Sequence, residues 1–145
     1  MATDMISYFS YVETANGHLG IIDVRRGDMV YTIKENSKRI ELSKCVSYGV
    51  DIKKDLYDVQ LNDGKRVWVS EDQEFLTPHG KITCNNLIIG EELYIINNDD
   101  ELLLSTSKVT SVDYIYPLSK VTYLKFDDDC FYFVNKIVIN SGVSQ

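Results

Sequence analysis

Short alternations of apolar and polar residues follow one another along almost the whole chain. Side chains alternate in this way over residues 56–61, and a partner segment at residues 66–70 follows the Asp63-Gly64 pair. An Asp-Gly pair favours a tight hairpin turn because glycine adopts positive φ at little cost. Such segments recur every ~8–12 residues, and no convincing amphipathic helical period is present. The pattern predicts an all-β protein, built either as a sandwich or as a closed, barrel-like sheet.

The same pattern places the individual strands. They are predicted over residues 6–13, 29–34, 40–48, 56–61, 66–70, 109–116, 121–126 and 131–139, which makes about a dozen short strands with the repeated segments included. Residues 19–24 fit either a short strand or a single helical turn. The last segment contains two apolar strands around Asn135-Lys136. Residues 97–101 are the most charged break, and we expect an exposed loop or a join there.

One group of strands and turns occurs twice. Thr14, Gly17 and Tyr31 recur as Thr77, Gly80 and Tyr94, each 63 residues further along the chain. The same offset relates Gly27, Asp28 and Val30 to Gly90, Glu91 and Leu93. Two copies are too few for a solenoid. The repeat predicts one domain with two related halves and an internal pseudo-twofold symmetry.

Composition narrows the class of protein. The 145 residues, 44% of them apolar, suit a single domain over residues 1–145 with its own core. A net charge of −7 supplies no basic surface for nucleic acid. No apolar run is long enough to span a membrane, and the first residues lack the features of a signal peptide. We therefore expect a cytoplasmic monomer.

The cysteines and acidic residues indicate neither a disulfide framework nor a metal site. Cys45, Cys84 and Cys130 are odd in number and widely spaced, so we expect reduced, mostly buried thiols. Three consecutive acids at residues 127–129 point in different directions on a turn, and no calcium-loop spacing follows them. His18 and His79 are expected as exposed turn residues. No metal and no cofactor are predicted.

Three segments, in this order, resemble the conserved blocks of inteins, which excise themselves from a precursor and join the flanking segments. They are residues 5–30, residues 56–80, which include Ser70-Glu71-Asp72-Gln73-Glu74-Phe75-Leu76-Thr77, and residues 121–140. The second is similar to the family block Thr-x-x-His-x-Phe-Leu-Thr. The resemblance implies a Hint-type horseshoe in a minimal form without a homing endonuclease. It also implies that residues 97–107 are an insertion or split point.

The resemblance assigns roles to several residues and shows where this chain departs from the family. Met5 occupies the first-residue position, where splicing needs a thiol or hydroxyl nucleophile, and a thioether cannot serve. Ser70 and Gln73 occupy the Thr and His positions of the second block, and an amide is neither acid nor base near pH 7. Cys130 falls where the family often has a histidine, either as a structural thiol or as a surrogate nucleophile. Tyr123 stands where many members have an aspartate.

The C-terminal end of the resemblance admits two registers. Without a gap, Asn140 occupies the position of the helping histidine and Ser141 that of the cyclising asparagine. With one deletion, Ile139 replaces the histidine, Asn140 is the cyclising residue and Ser141 the acyl acceptor. The gapless register keeps the alternation of residues 137–139 in one strand. In both registers the helping histidine is absent.

These departures leave three hypotheses. The first is an intein-type domain, flanked by stubs at residues 1–4 and 142–145 of its host segments, that is splicing-defective or inactive and retains at most slow cleavage at Asn140. The second is a Hint-like scaffold for binding or assembly without chemistry, so catalytic activity stays open. The third is an unrelated β-sandwich, which would lack the two related halves.

Overall fold

A computed structural model describes residues 10–53, 55–97, 102–116, 119–128 and 130–141. Strands dominate these residues, as the alternating pattern predicts. The strands are β1 Tyr11–Thr14, β2 Gly17–Gly20, β3 Met29–Ile33, β4 Ile40–Lys44, β5 Ser47–Lys53, β6 Leu56–Leu61, β7 Arg66–Ser70, β8 Glu74–Thr77, β9 Gly80–Thr83, β10 Glu92–Ile96, β11 Leu104–Tyr116, β12 Ser119–Lys125, β13 Phe131–Val134 and β14 Ile137–Asn140. Short 3-10 turns at Ile21–Asp23 and Cys84–Asn86 are the helical elements of the described ranges.

The internal repeat of the sequence is also a repeat of structure. Strands β1, β2 and β3 begin and end 63 residues before β8, β9 and β10, and the two 3-10 turns have the same offset. In each copy a threonine hydroxyl closes the first turn: Thr14 Oγ1 donates to Gly17 O (2.7 Å) and Thr77 Oγ1 to Gly80 O (2.8 Å). Both glycines have positive φ, which a side chain would strain. The predicted duplication is confirmed.

The two halves are joined by strands that are distant in sequence. The larger sheet runs in the order β2-β1-β3-β13-β14-β10-β11-β6-β7, with β4 added on β3, β8 on β14 and β9 on β8. Strands β12 and β5 form a separate pair. The C-terminal hairpin β13–β14 therefore lies between the first copy of the repeat and the second. Its apolar residues are buried, including Phe133 and Ile137.

The C-terminal hairpin turns at the residues that the sequence indicates. Asn135 and Lys136 both have positive φ, at 52° and 67°, a backbone that an asparagine tolerates well. The Asn135 side chain accepts from Tyr11 N (3.1 Å) and donates to Arg66 O (3.0 Å). One turn thus connects β13–β14 with β1 and β7.

Two predicted boundaries are wrong. Residues 40–48 do not form one strand, because Cys45 and Val46 interrupt it. Their N–H groups donate to backbone carbonyls elsewhere, Cys45 N to Asp28 O and Val46 N to Lys125 O. Strand β5 begins after that break and continues through Gly49. Residues 104–107 of the loop predicted near residues 97–107 belong to β11, which pairs with β10. In both places, backbone pairing with residues distant in sequence sets where the strand begins or ends, and the local polarity of the sequence does not show it.

Candidate active site

The end of β14 and the turn that precedes β8 meet at one place in the large sheet. Ile139 of β14 pairs with Phe75 of β8. Gln73, which lies in the turn just before β8, is held by its own backbone: its N–H donates to Ser70 O (3.1 Å) and its carbonyl accepts from Cys84 N (2.8 Å). The Gln73 side chain is thereby directed along the last residues of β14.

Gln73 contacts the backbone of Asn140, 67 residues further along the chain. Its Nε2 donates to Asn140 O at 3.2 Å and to Glu74 O at 3.1 Å. Both acceptors are carbonyls, which cannot donate, so the nitrogen rather than the oxygen of the Gln73 amide must face them. The oxygen that accepts from Gln73 belongs to the Asn140–Ser141 peptide bond, which is the bond that the register with one deletion places at the reaction.

The other side of the same peptide bond is also held. Ser141 N donates to Cys130 O at 2.9 Å, which extends the pairing of β13 and β14 by one residue. Asn140 and Ser141 are both buried. The Asn140–Ser141 bond is therefore fixed at its oxygen by Gln73 and at its N–H by the backbone of Cys130.

The side-chain nitrogen of Asn140 has no hydrogen-bond partner among the described residues. This Nδ2 atom is buried. Leaving a buried amide donor unpaired costs about 1–3 kcal/mol, and such groups in folded proteins call for an explanation in function or strain. The unpaired nitrogen belongs to the residue whose own carbonyl is bound by Gln73.

Ser70 lies near this site but forms a local contact. It is buried at the end of β7, and its Oγ donates to Asp72 Oδ1 at 2.7 Å. Asp72 was not among the predicted site residues, and its role shows only in this contact. The pair fixes the turn that presents Gln73.

A small pocket, partly open to solvent, lies beside Gln73 and Ile139. Trp68, Thr122 and Tyr132 line it, as does Ser10, the first described residue, whose buried Oγ has no hydrogen-bond partner among the described residues. The sequence did not assign Ser10 or Thr122 to the site, since neither stands in a local motif. Met5 lies outside the described residues, so its predicted place at the site stays a prediction.

Two of the three thiols, those of Cys45 and Cys84, are poorly suited to act as nucleophiles. Cys45, Cys84 and Cys130 are buried and form no disulfide. Burial, and then the charges of Glu71 and Asp72, raise the pKa of Cys84 to about 12. Burial also raises the pKa of Cys45. A reactive cysteine needs the opposite shift, because the thiolate is the nucleophile.

The described residues contain no group of three or more His, Cys, Asp or Glu side chains that could hold a metal ion. His18 binds Glu13 instead, at 3.0 Å from Nδ1 to Oε2. Within the described ranges, we find no helix with the length and apolar character that a membrane crossing requires.

The fold, a duplicated all-β unit whose halves are joined by a C-terminal hairpin, is of the Hint type. Solved structures bear this out. The chain is similar to a variant of the Ssp DnaB mini-intein, with a TM-score of 0.86 at 18% identity over 100% of this chain and 99% of that one. It is similar to the DnaB intein from Synechocystis sp. PCC 6803, with a TM-score of 0.83 at 19% identity over 95% and 98% of the two chains.

The same fold extends to an intein-like domain. The bacterial intein-like domain from Clostridium thermocellum has a TM-score of 0.75 at 18% identity, with 90% of this chain and 94% of that domain covered. No protein-family model and no curated protein matches the chain. The predicted fold, a Hint-type domain of minimal length, is confirmed, and the unrelated β-sandwich is excluded. At such low identity the likeness establishes the fold and not the activity.

Proposed function

We propose that this chain is an intein-type autoprocessing domain that has lost the N-terminal step of splicing and retains slow cleavage of the Asn140–Ser141 bond. The observation that supports it is the buried Asn140 Nδ2, which has no hydrogen-bond partner among the described residues and belongs to a residue whose carbonyl accepts from Gln73. The partners are the host segments that precede and follow the domain. The register that follows is the one with Asn140 as the cyclising residue and Ser141 after it.

The reaction balances without a cofactor. Asn140 Nδ2 attacks the carbonyl carbon of Asn140, and a five-membered succinimide ring forms. The bond from that carbon to Ser141 N then breaks. Nδ2 loses one proton and the leaving amine of Ser141 gains one, so Ser141 becomes the first residue of the released segment. A neutral amide is a weak nucleophile, and the apolar Ile139 at the helping-histidine position supplies no proton, so the reaction is slow.

The N-terminal step lacks its chemistry. Met5 has no ionisable hydrogen on sulfur and cannot convert the preceding amide to a thioester. Gln73 cannot protonate a leaving amine as a histidine would, because its amide does not titrate near neutral pH. Without a thioester there is nothing for an acyl acceptor to take, and the flanking segments stay unligated.

The test is a fusion in which the full chain stands between two different reporter proteins. We expect the C-terminal reporter to be released over days with serine at its new N-terminus, and the remaining fragment to end in an asparagine succinimide or its hydrolysis product. Mass spectrometry identifies both. Asn140→Ala should abolish the release. A ligated reporter product, or release that survives Asn140→Ala, would refute the proposal.

The second candidate is a scaffold without chemistry, which the apolar Ile139 at the helping-histidine position favours. It predicts an intact fusion after the same incubation. A restoration variant carries Met5→Cys, Gln73→His and a His-Asn-Ser ending. It tests whether only the reactive side chains are missing or whether the fold itself no longer supports the N-terminal step. Cleavage of this variant by added thiol would show that the fold still supports the N-terminal step.

A further inference from the structure

We infer that Gln73 is the oxyanion donor for cleavage of the Asn140–Ser141 bond, a role distinct from that of the histidine it replaces in the family block. The inference rests on the proposed function and adds a catalytic residue to it. It starts from a contact in the folded chain: Gln73 Nε2 already lies 3.2 Å from Asn140 O.

The cyclisation places negative charge on the atom that Gln73 contacts. When Asn140 Nδ2 adds to the carbonyl carbon, that carbon becomes tetrahedral and its oxygen becomes an oxyanion. A donor fixed beforehand at this oxygen stabilises the transition state more than the ground state, because the acceptor gains charge as the reaction proceeds. Burial of Asn140 strengthens the effect by excluding water.

The donor is held in place by the fold. Gln73 is fixed through both of its backbone groups, by Ser70 O and by Cys84 N. One hydrogen of its side-chain amide is directed to Glu74 O, which leaves the other for Asn140 O. Such preorganisation is what a catalytic donor requires, since no reorientation is needed during the reaction.

The peptide bond is held on its opposite side as well. Ser141 N–H donates to Cys130 O, so the plane of the Asn140–Ser141 peptide is fixed between β13 and the turn before β8. Gln73 contacts the carbonyl oxygen of this peptide group, which is the atom where charge develops. A glutamine donates at any pH, whereas a histidine would titrate near neutral pH. The cleavage rate should therefore show no ionisation attributable to residue 73.

The experiment uses the reporter fusion with substitutions at residue 73. Gln73→Ala removes the donor, and Gln73→Glu keeps the size of the side chain but replaces the donor by an ionised acceptor. We expect each to slow release by about 10²-fold or more, the usual effect of deleting one oxyanion donor. If release by the unmodified chain is too slow to quantify such a loss, the comparison is made in an Ile139→His background.

Gln60→Ala is the matched control. Gln60 lies in β6, where its Nε2 donates to Asp58 Oδ2 at 3.0 Å, and its loss should leave the release rate within about twofold. Thermal unfolding of each variant shows whether it is folded at the assay temperature. Gln73→His should retain part of the rate and acquire a dependence on pH near about 6–7.

The possible outcomes distinguish a failure of the role inferred for Gln73 from a failure of the proposed cleavage itself. Release that requires Asn140 but proceeds at the unmodified rate in folded Gln73→Ala and Gln73→Glu would overturn the inference and leave the proposed function standing. Absence of release in every variant would overturn both. A rate loss that tracks the fall in melting temperature in Gln73→Ala, with Gln73→Glu stable and fully active, would reduce Gln73 to a structural contact.

Discussion

The two copies of the repeat should respond equally to loss of their turn-closing hydroxyl. Thr14 and Thr77 are both buried, and each hydroxyl makes two hydrogen bonds. It donates to the glycine carbonyl on the far side of the turn, at 2.7 Å in the first copy and 2.8 Å in the second. It also accepts a backbone N–H, at 3.1 Å from Asn16 and at 3.0 Å from His79. Thr→Val removes both bonds while keeping the shape of the side chain.

The magnitude follows from those contacts. A typical protein hydrogen bond contributes about 1 kcal/mol net, so two bonds set an upper value of about 2 kcal/mol for each substitution. The groups left behind lie at exposed turns where water can replace the hydroxyl, which lowers the expected loss to about 1–2 kcal/mol. Strands β1 and β8 are separated by β13 and β14. Three strand spacings amount to about 14 Å, so the double variant should lose the sum of the two within ~0.5 kcal/mol.

Urea unfolding of Thr14→Val, Thr77→Val and the double variant measures these free energies. Thr110→Val is the matched control, because its hydroxyl makes one exposed bond, to Gln60 O at 3.1 Å. It should change stability by less than about 0.5 kcal/mol. A difference above about 1 kcal/mol between the two single variants would show that the copies are not energetically equivalent. A loss in Thr110→Val equal to theirs would refute the assignment to the turn hydroxyls.

Two further predictions concern packing and ionisation. Gly49→Ala should destabilise the fold by about 1–3 kcal/mol, because a Cβ there would overlap the ring of Tyr123 across the β5–β12 pair; urea unfolding should show that this cost disappears in a Tyr123→Ala background. The pKa of Cys84 is raised to about 12 from an ordinary value of about 8.5, so the folded state binds this proton more tightly than the unfolded state. The free energy of unfolding should therefore fall as pH rises from about 9 towards 12. Urea unfolding at several pH values should show a smaller slope for Cys84→Ala. Equal slopes for Cys84→Ala and the unmodified chain would contradict the second prediction, and a cost of Gly49→Ala that persists undiminished in the Tyr123→Ala background would contradict the first.

The fold was largely predictable from the sequence, since its signals are local. Alternation marks the strands, and the glycines at positive φ mark the turns. The shared offset of 63 residues predicted the duplicated unit, whose strand boundaries repeat at that spacing. The errors came where a distant strand intervened. Cys45 interrupts the predicted strand because its N–H donates to Asp28 O. Leu104 begins a strand because it pairs with Ile96 of β10.

The candidate site was predictable only in part. The intein resemblance drew attention to Gln73, Asn140 and Ser141, but it described Gln73 as a lost histidine of the first step. The contact between Gln73 and Asn140 joins residues 67 positions apart, and no local pattern indicates it. Ser10 and Thr122 entered the site only because the folded chain brings them to one cavity.

The sequence by itself determined which side chains this protein has available and where its backbone turns. The thioether of Met5 has no proton to lose and the amide of Gln73 does not titrate near neutral pH, wherever these residues lie, because reactivity belongs to the functional group. The tertiary structure alone decided what the described groups face. Insertion of β13–β14 between the two copies of the repeat placed the Asn140 carbonyl beside Gln73 and left the Asn140 amide without a partner among the described residues. Hydrogen-bond partners follow from which strand ends adjoin, and that is a property of the assembled sheet.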